Sequence, residues 1–271
     1  MFYWVFIILL LIATSVLVPA GFLWLTQHSR FAPFLHSLHG VQATFIGVMS
    51  VMFSLNLVFV CNEIWQAREA AKSAMSRESE SLRNIGRVAS NIRGNGGADI
   101  LRAERLYLEA ALAVDFPVGS RTIATEIKDS ASLSTTINLS DAILNDTTLD
   151  KLNPAVQQML VAQLTVVRDR RLDRMSLRDF SPNIVKWLSL VFLEIMTLLT
   201  IVMVHVTNGR AMFVACCIFL SGVNPFLTVL YFCQSPFDGI YPLKTTRLEA
   251  ALDRITAMEA DYQRLNNAAQ R

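Results

Sequence analysis

Four long apolar runs constrain the fold of this 271-residue chain more than any other feature. Each is long enough for a membrane-spanning helix, because about 20 apolar residues cross the hydrocarbon core of a bilayer. The charged share of 17% also indicates a membrane protein, since soluble domains carry about a quarter. The predicted spans are residues 1–26, 41–62, 183–206 and 211–233. The sequence therefore predicts an all-α integral membrane protein with four transmembrane helices.

The second span is predicted to continue into water as one helix. Residues 41–62 carry no charge, whereas residues 63–74 are polar and contain neither glycine nor proline. Trp65 and Arg68 lie one and two turns past the boundary, where aromatic rings and snorkelling cations are favoured. A signal peptide would have a basic start and a shorter apolar run, so residues 1–26 are predicted to be a retained first span.

Proline and glycine mark further features of the spans and of the polar segment between them. Pro19 predicts a kink in the first span, and Pro225 must kink the fourth or cap a half-helix. The polar segment is predicted to begin with a helix over 63–93, which a glycine-rich run at 94–97 ends. Asp99 is expected to cap the next helix, and residues 120–151 are expected to hold two short ones. Asn153, followed by a first-turn proline, predicts a helix through 180, and residues 181–182 repeat that signal for the third span.

The C-terminal tail carries a near-heptad row of apolar residues, which suits a helix that pairs with another helix. The pattern leaves two partners open, the chain's own polar helices or a neighbouring copy. The row consists of Leu248, Leu252, Ile255, Met258, Tyr262 and Leu265.

Positive charges near the span ends predict the orientation, because Lys and Arg favour the cytoplasmic side. Twelve flank the polar side of the spans, whereas the two short links hold only Arg30 and Arg210. We therefore expect both termini and the insert to be cytoplasmic. The twelve are Arg68, Lys72, Arg77, Arg83, Arg168, Arg170, Arg171, Arg174, Arg178, Lys244, Arg247 and Arg254.

The sequence argues against several classes of function. A net charge of +2 without a basic stripe argues against a nucleic-acid partner. No phosphate loop, nucleophile elbow or zinc-protease motif is present, so we expect no catalytic residue and no cofactor. The four cysteines lie in apolar runs without metal-ligand spacing and are interpreted as packing residues, and no metal site is predicted.

Polar residues inside the spans are the remaining candidates for function. Glu194 lies midway along the third span, where an ionised group costs a few kcal/mol. On a helix it shares one face with Lys186, Ser189, Thr197, Thr200 and His205. This polar stripe is either an ion or proton pathway or an interhelical hydrogen-bond seam. Asn56 in the second span is likewise either polar glue or a pore constriction.

Three features together resemble the bestrophin-like family of bacterial membrane proteins, which is similar to the bestrophin anion channels. The first is the sequence Asn62-Glu63-Ile64-Trp65-Gln66-Ala67-Arg68 at the end of the second span. The second is the helical insert that closes with an Arg-rich segment. The third is Ser235-Pro236-Phe237-Asp238-Gly239, followed by Pro242-Leu243 and an amphipathic helix.

The resemblance implies a homo-oligomer, a pentamer around a central pore whose narrow neck is lined by the second span. Carried onto this sequence, the neck face is Val48, Met52, Leu55 and Phe59, bordered by Asn56. Animal bestrophins place a run of acidic residues after the Pro-Phe element as a calcium clasp. Here only Asp238 follows directly, which argues against calcium gating.

The sequence thus predicts an inner-membrane, homo-oligomeric ion channel that conducts anions, with the lipid bilayer and small ions as its other partners. Two rivals stay open, a non-conducting scaffold or signalling protein and a proton-coupled transporter that uses Glu194 and His205. The predicted division is 1–62 for spans one and two, 63–181 for the cytoplasmic helical insert, 182–233 for spans three and four, and 234–271 for the cytoplasmic tail.

Overall fold

The computed structural model describes residues 2–28, 44–92, 95–116, 123–145, 152–178, 183–237 and 240–269. This part of the chain is helical and holds no strand, so the predicted all-α class is confirmed. A single π-helical turn, Ala111–Asp115, extends the third helix. The eight α-helices are α1 Phe2–His28, α2 Thr44–Ala89, α3 Asn95–Ala110, α4 Ile123–Leu144, α5 Pro154–Arg178, α6 Ile184–Val204, α7 Gly209–Cys233 and α8 Thr246–Ala269.

Four of these helices, α1, α2, α6 and α7, are long and apolar enough to cross a membrane, as the sequence predicted. Helix α2 has 46 residues, so it is about 69 Å long at about 1.5 Å per residue and exceeds a hydrocarbon core of about 30 Å. The expectation that the second span continues without a break into the polar segment as one helix is therefore confirmed. Pro19 and Pro225 lie within uninterrupted helices, which excludes the half-helix cap at Pro225.

The chain divides into two compact units. The first, which we call the membrane unit, comprises residues 1–65 and 181–234. In it, α1 and α6 both pack against α7. Leu198 and Ile201 of α6 meet Met212 and Cys216 of α7, with Leu23 of α1 packed against them. Gly209 starts α7 where a Cβ atom would lie 2.8 Å from the Leu23 side chain.

The second unit, which we call the helical unit, comprises residues 66–180 and 235–271. Its core is built by the polar half of α2 with α3, α4, α5 and α8. Leu82 and Ile85 of α2, Leu101 of α3, Leu160 of α5 and Ile255 of α8 are all fully buried. These side chains show that seams of apolar residues every three or four positions converge on one core.

The tail helix α8 packs against the chain's own helical unit, which decides the alternative that the sequence left open. Leu248 and Ile255 are fully buried in that unit's core, and α3 is the main partner of α8. Leu252, Met258 and Tyr262 pack against the same core at partial burial. Leu265, the last residue of the row, is 72% exposed.

The glycine-rich run and its neighbours differ from the prediction. Helix α2 ends at Ala89 and α3 already begins at Asn95, so Asp99 lies inside α3 and does not cap it. A Cβ atom at Gly97 would lie 2.5 Å from the Ala89 carbonyl oxygen. The glycine-rich run therefore allows α3 to approach the end of α2 closely, in addition to separating the two helices.

The prediction of two short helices in residues 120–151 is wrong, because α4 is a single helix over Ile123–Leu144. Although its composition is polar, this helix has an apolar side, on which Leu139 and Ile143 are fully buried in the core. Tertiary packing stabilises such a helix despite weak local propensity. The start of α5 was predicted correctly, since the Asn153 Oδ1 accepts the Ala155 N–H at 2.9 Å.

The third span begins with a different cap from the expected one. The Oδ1 of Asn183 accepts the Val185 N–H at 2.9 Å, so Asn183 is the N-cap of α6. Residues 181 and 182, which carried the predicted start signal, lie outside the described residues.

Candidate functional site: the exposed face of helix α2

The four side chains predicted to form a neck lie on one face of α2 and point away from the other described helices of their own chain. Val48 is 56% exposed, Met52 51%, Leu55 54% and Phe59 68%. Three further exposed apolar side chains widen this face, which we call the α2 face: Phe45, Val51 and Val58. It is an apolar surface about half the helix wide that has no partner in the described part of this chain.

The opposite side of α2 fixes the orientation of this face. Phe53, Val60 and Ile64 are at most 3% exposed and pack into the membrane unit. Val60 and Ile64 meet Leu230 and Cys233 of α7, and the Phe53 ring lies 6.0 Å from that of Phe219. Residues 53, 60 and 64 lie on the side of the helix opposite residues 48, 52, 55 and 59, so the first set packs against α7 while the second set faces away from it.

Asn56 borders the α2 face and is tied to α6. Its Nδ2 donates to the Ser189 Oγ at 2.9 Å, and the Ser189 hydroxyl donates in turn to the Lys186 carbonyl at 2.8 Å. This is the interhelical hydrogen bond that polar glue requires. The same bond leaves Asn56 half-buried at the edge of the exposed face.

Other members of the polar stripe on α6 bond mainly along their own helix. Thr197 is fully buried and its hydroxyl donates to the Leu193 carbonyl at 2.8 Å, and Thr200 donates to Met196 at 2.7 Å. His205 is the C-cap of α6, with its Nδ1 3.0 Å from the Ile201 carbonyl oxygen. Eleven positions separate Glu194 from His205, about 16 Å along a helix, so the structure does not bring these two groups together.

An ion pair at the end of the stripe was missed from the sequence. Lys186 Nζ lies 2.5 Å from Glu63 Oε2, and both side chains are partly exposed. Glu63 is the first charged residue after the second span, and Lys186 lies in the first turn of the third. Two opposite charges at matching ends of neighbouring spans were the signal that could have revealed this pair.

The Pro-Phe element after α7 is part of the core of the helical unit. Phe237 is 5% exposed and its ring packs edge-on against Phe116 at 5.4 Å. The Leu243 N–H donates to the Pro236 carbonyl oxygen at 2.8 Å. Asp238 and Gly239, the other members of the predicted motif, lie outside the described residues.

Arg68 is attached to the segment that follows this element. Its Nη2 donates to the Tyr241 carbonyl at 3.0 Å, and its guanidinium lies 5.6 Å from the centre of the Tyr241 ring. At 6% exposed, Arg68 is buried in protein instead of snorkelling into an aqueous interface. The tertiary contact was not visible in the sequence, because 173 positions separate the two residues.

A buried charged network lies in the helical unit. Arg174 donates from Nε and Nη2 to the two carboxylate oxygens of Glu78, at 2.8 and 3.1 Å. The Tyr107 hydroxyl donates to the same carboxylate at 2.5 Å. Burial, followed by the Glu78 charge, raises the pKa of Tyr107 well above its ordinary value. The signal was available, since Glu78 and Arg174 continue the apolar seams of α2 and α5 at the same spacing.

Glu104 of α3 is a second buried carboxyl, and it has no such partner. It is fully buried, and neither carboxylate oxygen has a hydrogen-bond partner among the described residues. Its Oε2 faces Gly86 of α2, where a Cβ atom would lie 2.9 Å away. Burial raises the pKa of Glu104 well above that of an ordinary carboxyl, which favours the protonated form. The described residues hold no cluster of three potential metal ligands.

Comparison with known proteins decides the family of this fold. The model of a bestrophin-like domain matches residues 13–248, most of the chain. The chain belongs to the bestrophin-like family. A comparison with curated proteins gave no match.

Solved structures of bestrophin homologues share the fold. The structure of a bacterial bestrophin homologue from Klebsiella pneumoniae superposes with a TM-score of 0.70 at 11% identity, covering 94% of this chain and 98% of the other. Two single-substitution variants of that homologue give TM-scores of 0.69 and 0.68 at 10% and 12% identity. They cover 94% and 96% of this chain, and 98% of theirs. Membership of this family and the four apolar helices identify a membrane protein.

Proposed function

We propose that this protein is a homo-oligomeric ion channel of the bestrophin type, with α2 of each subunit facing a shared axis. The observation that supports it is the α2 face, an apolar surface that the described part of its own chain leaves uncovered while the opposite side of the helix is buried. Four spans cannot enclose a wide channel, so conduction requires several copies. A pentamer is the assembly that the family resemblance suggests.

In this proposal Val48, Met52, Leu55 and Phe59 form successive apolar rings of a neck, and Asn56 lies at its edge. Rings of apolar side chains gate a pore by dewetting, because a narrow apolar constriction excludes water until it widens. Anions are the proposed ions, and helix ends and backbone amides near the neck would stabilise them. For the Pro-Phe element (Pro236, Phe237, Asp238 and Gly239), the proposed role is to anchor the segment after α7 through Phe237, which packs in the core of the helical unit.

The proposed location is a bacterial inner membrane, with both termini and residues 63–181 in the cytoplasm. The supporting observation is the excess of Lys and Arg on the polar side of the spans. The proposed division is membrane-spanning for 1–62 and 182–233 and cytoplasmic for 63–181 and 234–271. The bilayer, small ions and further copies of the chain are then its partners.

Anion flux into liposomes that contain the purified protein tests this proposal. Met52→Ala and Phe59→Ala shorten neck side chains, and we expect either to change the chloride flux at least threefold. Phe192→Ala is the matched control, since Phe192 is 57% exposed on α6 and lies outside the α2 face. Its flux is expected to equal that of the unaltered protein.

An image of the assembled particle is the second test. A symmetric ring with the α2 face at an axial opening supports the proposal. A folded protein that is monomeric in mild detergent and conducts no ions overturns it and favours the scaffold. Flux that depends on pH in the unaltered protein and loses that dependence in Glu194→Gln would instead favour the transporter.

A further inference from the structure

A cavity in the membrane unit collects polar side chains for which neither the fold nor the proposed pore accounts. Its volume is about 390 Å³, within the range of small-molecule sites, and α1, α6 and α7 line it. Most of its lining is aliphatic. The polar side chains are Thr14 of α1, Glu194 of α6, and Asn224 and Thr228 of α7.

The hydrogen bonds of these groups leave mainly acceptors for an occupant. The Thr14 hydroxyl donates to the Leu11 carbonyl at 3.0 Å, and the Thr228 hydroxyl donates to the Asn224 carbonyl at 2.7 Å. Each hydroxyl has one hydrogen, so both oxygens can now only accept. The Asn224 Nδ2 donates a long hydrogen bond of 3.5 Å to the Thr14 Oγ1. The Oδ1 of Asn224 therefore remains available as an acceptor.

Glu194 supplies the charge of the cavity. Its carboxyl is half-buried midway along α6 and has no hydrogen-bond partner among the described residues. An ionised carboxyl inside a membrane costs a few kcal/mol unless a counter-charge stabilises it. A carboxylate that shares one cavity with three acceptor oxygens is therefore complementary to a cationic group that only donates hydrogen bonds.

We propose that this cavity binds a primary alkylammonium ion, with its ammonium group at Glu194 and its alkyl chain along the aliphatic wall. An ammonium group carries three donors and one positive charge, which match the carboxylate and the three acceptor oxygens. A bare metal ion fits less well, because hard cations require about six oxygen ligands and most of this lining is aliphatic. Leu10 and Ile195 of the lining are 53% and 47% exposed on the membrane unit, so an amphiphile can enter from the lipid. The site is independent of the proposed pore.

Thermal unfolding of the purified full-length protein tests the site, with n-hexylamine as the probe at neutral pH and n-hexanol as the neutral analogue. We expect n-hexylamine to raise the melting temperature saturably, and n-hexanol to produce no saturable rise. Equal stabilisation by the two compounds, or no saturable shift with the amine, overturns the proposal. This comparison uses the unaltered protein and therefore does not depend on whether a variant folds.

Variants then locate the binding. Glu194→Gln keeps the size of the side chain and removes its charge, so the apparent Kd for n-hexylamine should rise at least tenfold. Thr228→Val removes one acceptor and should raise it about threefold. Glu63→Gln is the control, because it removes a carboxyl of the same unit outside the cavity, and its Kd should be unchanged. Unchanged binding in folded Glu194→Gln overturns the assignment.

Discussion

Arg174 of α5 and Glu78 of α2 form a doubly hydrogen-bonded ion pair in which neither side chain is more than 1% exposed. Tyr107 of α3 adds a third hydrogen bond to the same carboxylate. The Phe116 ring lies 4.9 Å from the guanidinium carbon and closes the other side. Removing two charges from water is costly, so the pair contributes less to net stability than its geometry suggests. Loss of one partner is nevertheless strongly destabilising, because it leaves the other charge buried without a counter-charge.

We therefore expect Arg174→Met to destabilise the protein by about 3–5 kcal/mol, because it leaves the Glu78 carboxylate buried without its counter-charge. Thermal unfolding in detergent measures the loss. Arg264→Met is the control, since the Arg264–Asp261 pair is 81% and 71% exposed and such pairs contribute less than about 1 kcal/mol. Similar stabilities for the two variants would contradict the interpretation of the buried pair.

Gly97→Ala should destabilise the helical unit by about 1–3 kcal/mol, the usual cost of overpacking. The added methyl would meet the carbonyl oxygens of Ala89 and Ile92 at 2.5 and 2.8 Å, and backbone atoms cannot move aside as a flexible side chain does. The melting temperature reports the loss. Gly222→Ala is the matched control, since its Cβ would have no neighbour within 4 Å, and an unaffected Gly97→Ala would refute the close approach.

Glu104→Met should stabilise the protein at neutral pH, because it replaces a buried carboxyl that has no hydrogen-bond partner in the described part of the chain by an apolar side chain of similar length. Leaving a polar group buried and unsatisfied costs about 1–3 kcal/mol, so a gain in that range is expected. The control is Glu109→Met, whose carboxyl is 46% exposed beside Arg105 and should change stability little. Melting temperatures of the three proteins at one pH provide the measurement.

The gain from Glu104→Met should also depend on pH. The raised pKa means that folded Glu104 keeps a proton that the unfolded chain loses above the ordinary carboxyl pKa of about 4.3. Its contribution to stability therefore falls as pH rises above that value, until the pKa of the folded state is passed. The difference between Glu104→Met and the unaltered protein should be smallest near pH 4 and grow toward neutral pH. A difference that is constant from pH 4 to 8 would show that burial does not shift this carboxyl.

The Asn56–Ser189 hydrogen bond should make a small but measurable contribution. Hydrogen bonds between membrane helices contribute about 0.6 kcal/mol on average in double-mutant cycles. Asn56→Ala and Ser189→Ala, alone and together, should give a coupling energy of that order in thermal unfolding. Strictly additive effects would indicate that Asn56 does not hold α2 against α6.

Reporter fusions should place the C-terminus in the cytoplasm. Green fluorescent protein fused after Arg271 is expected to fluoresce, whereas alkaline phosphatase at the same position should stay inactive. Phosphatase fused after Asn208, in the short link between α6 and α7, should be active. The opposite pattern would reverse the orientation that the Lys and Arg distribution predicts.

The parts that were predicted correctly depend on information within a few turns of the chain. The four spans follow from apolar length, the continuity of α2 from the lack of glycine and proline between 63 and 74, and the start of α5 from Asn153 and the proline after it. Local sequence signals gave wrong helix boundaries where contacts between distant residues dominate. Leu139 and Ile143 pack α4 against the core, and Gly97 in the first turn of α3 lies close to the end of α2.

The sequence alone determined that this chain crosses a membrane four times and which side chains lie on each face of α2, because hydrophobic length and helical period are local properties. Only the tertiary structure decided which of those faces is left uncovered by the described residues, that α8 packs on its own chain, and that Glu78 pairs with Arg174 while Glu104 has no hydrogen-bond partner in the same described ranges. Those outcomes depend on residues that are far apart in the chain and meet in one core. The spacing of residues along a helix shows which of its faces is apolar, but it does not encode which distant helix will cover that face.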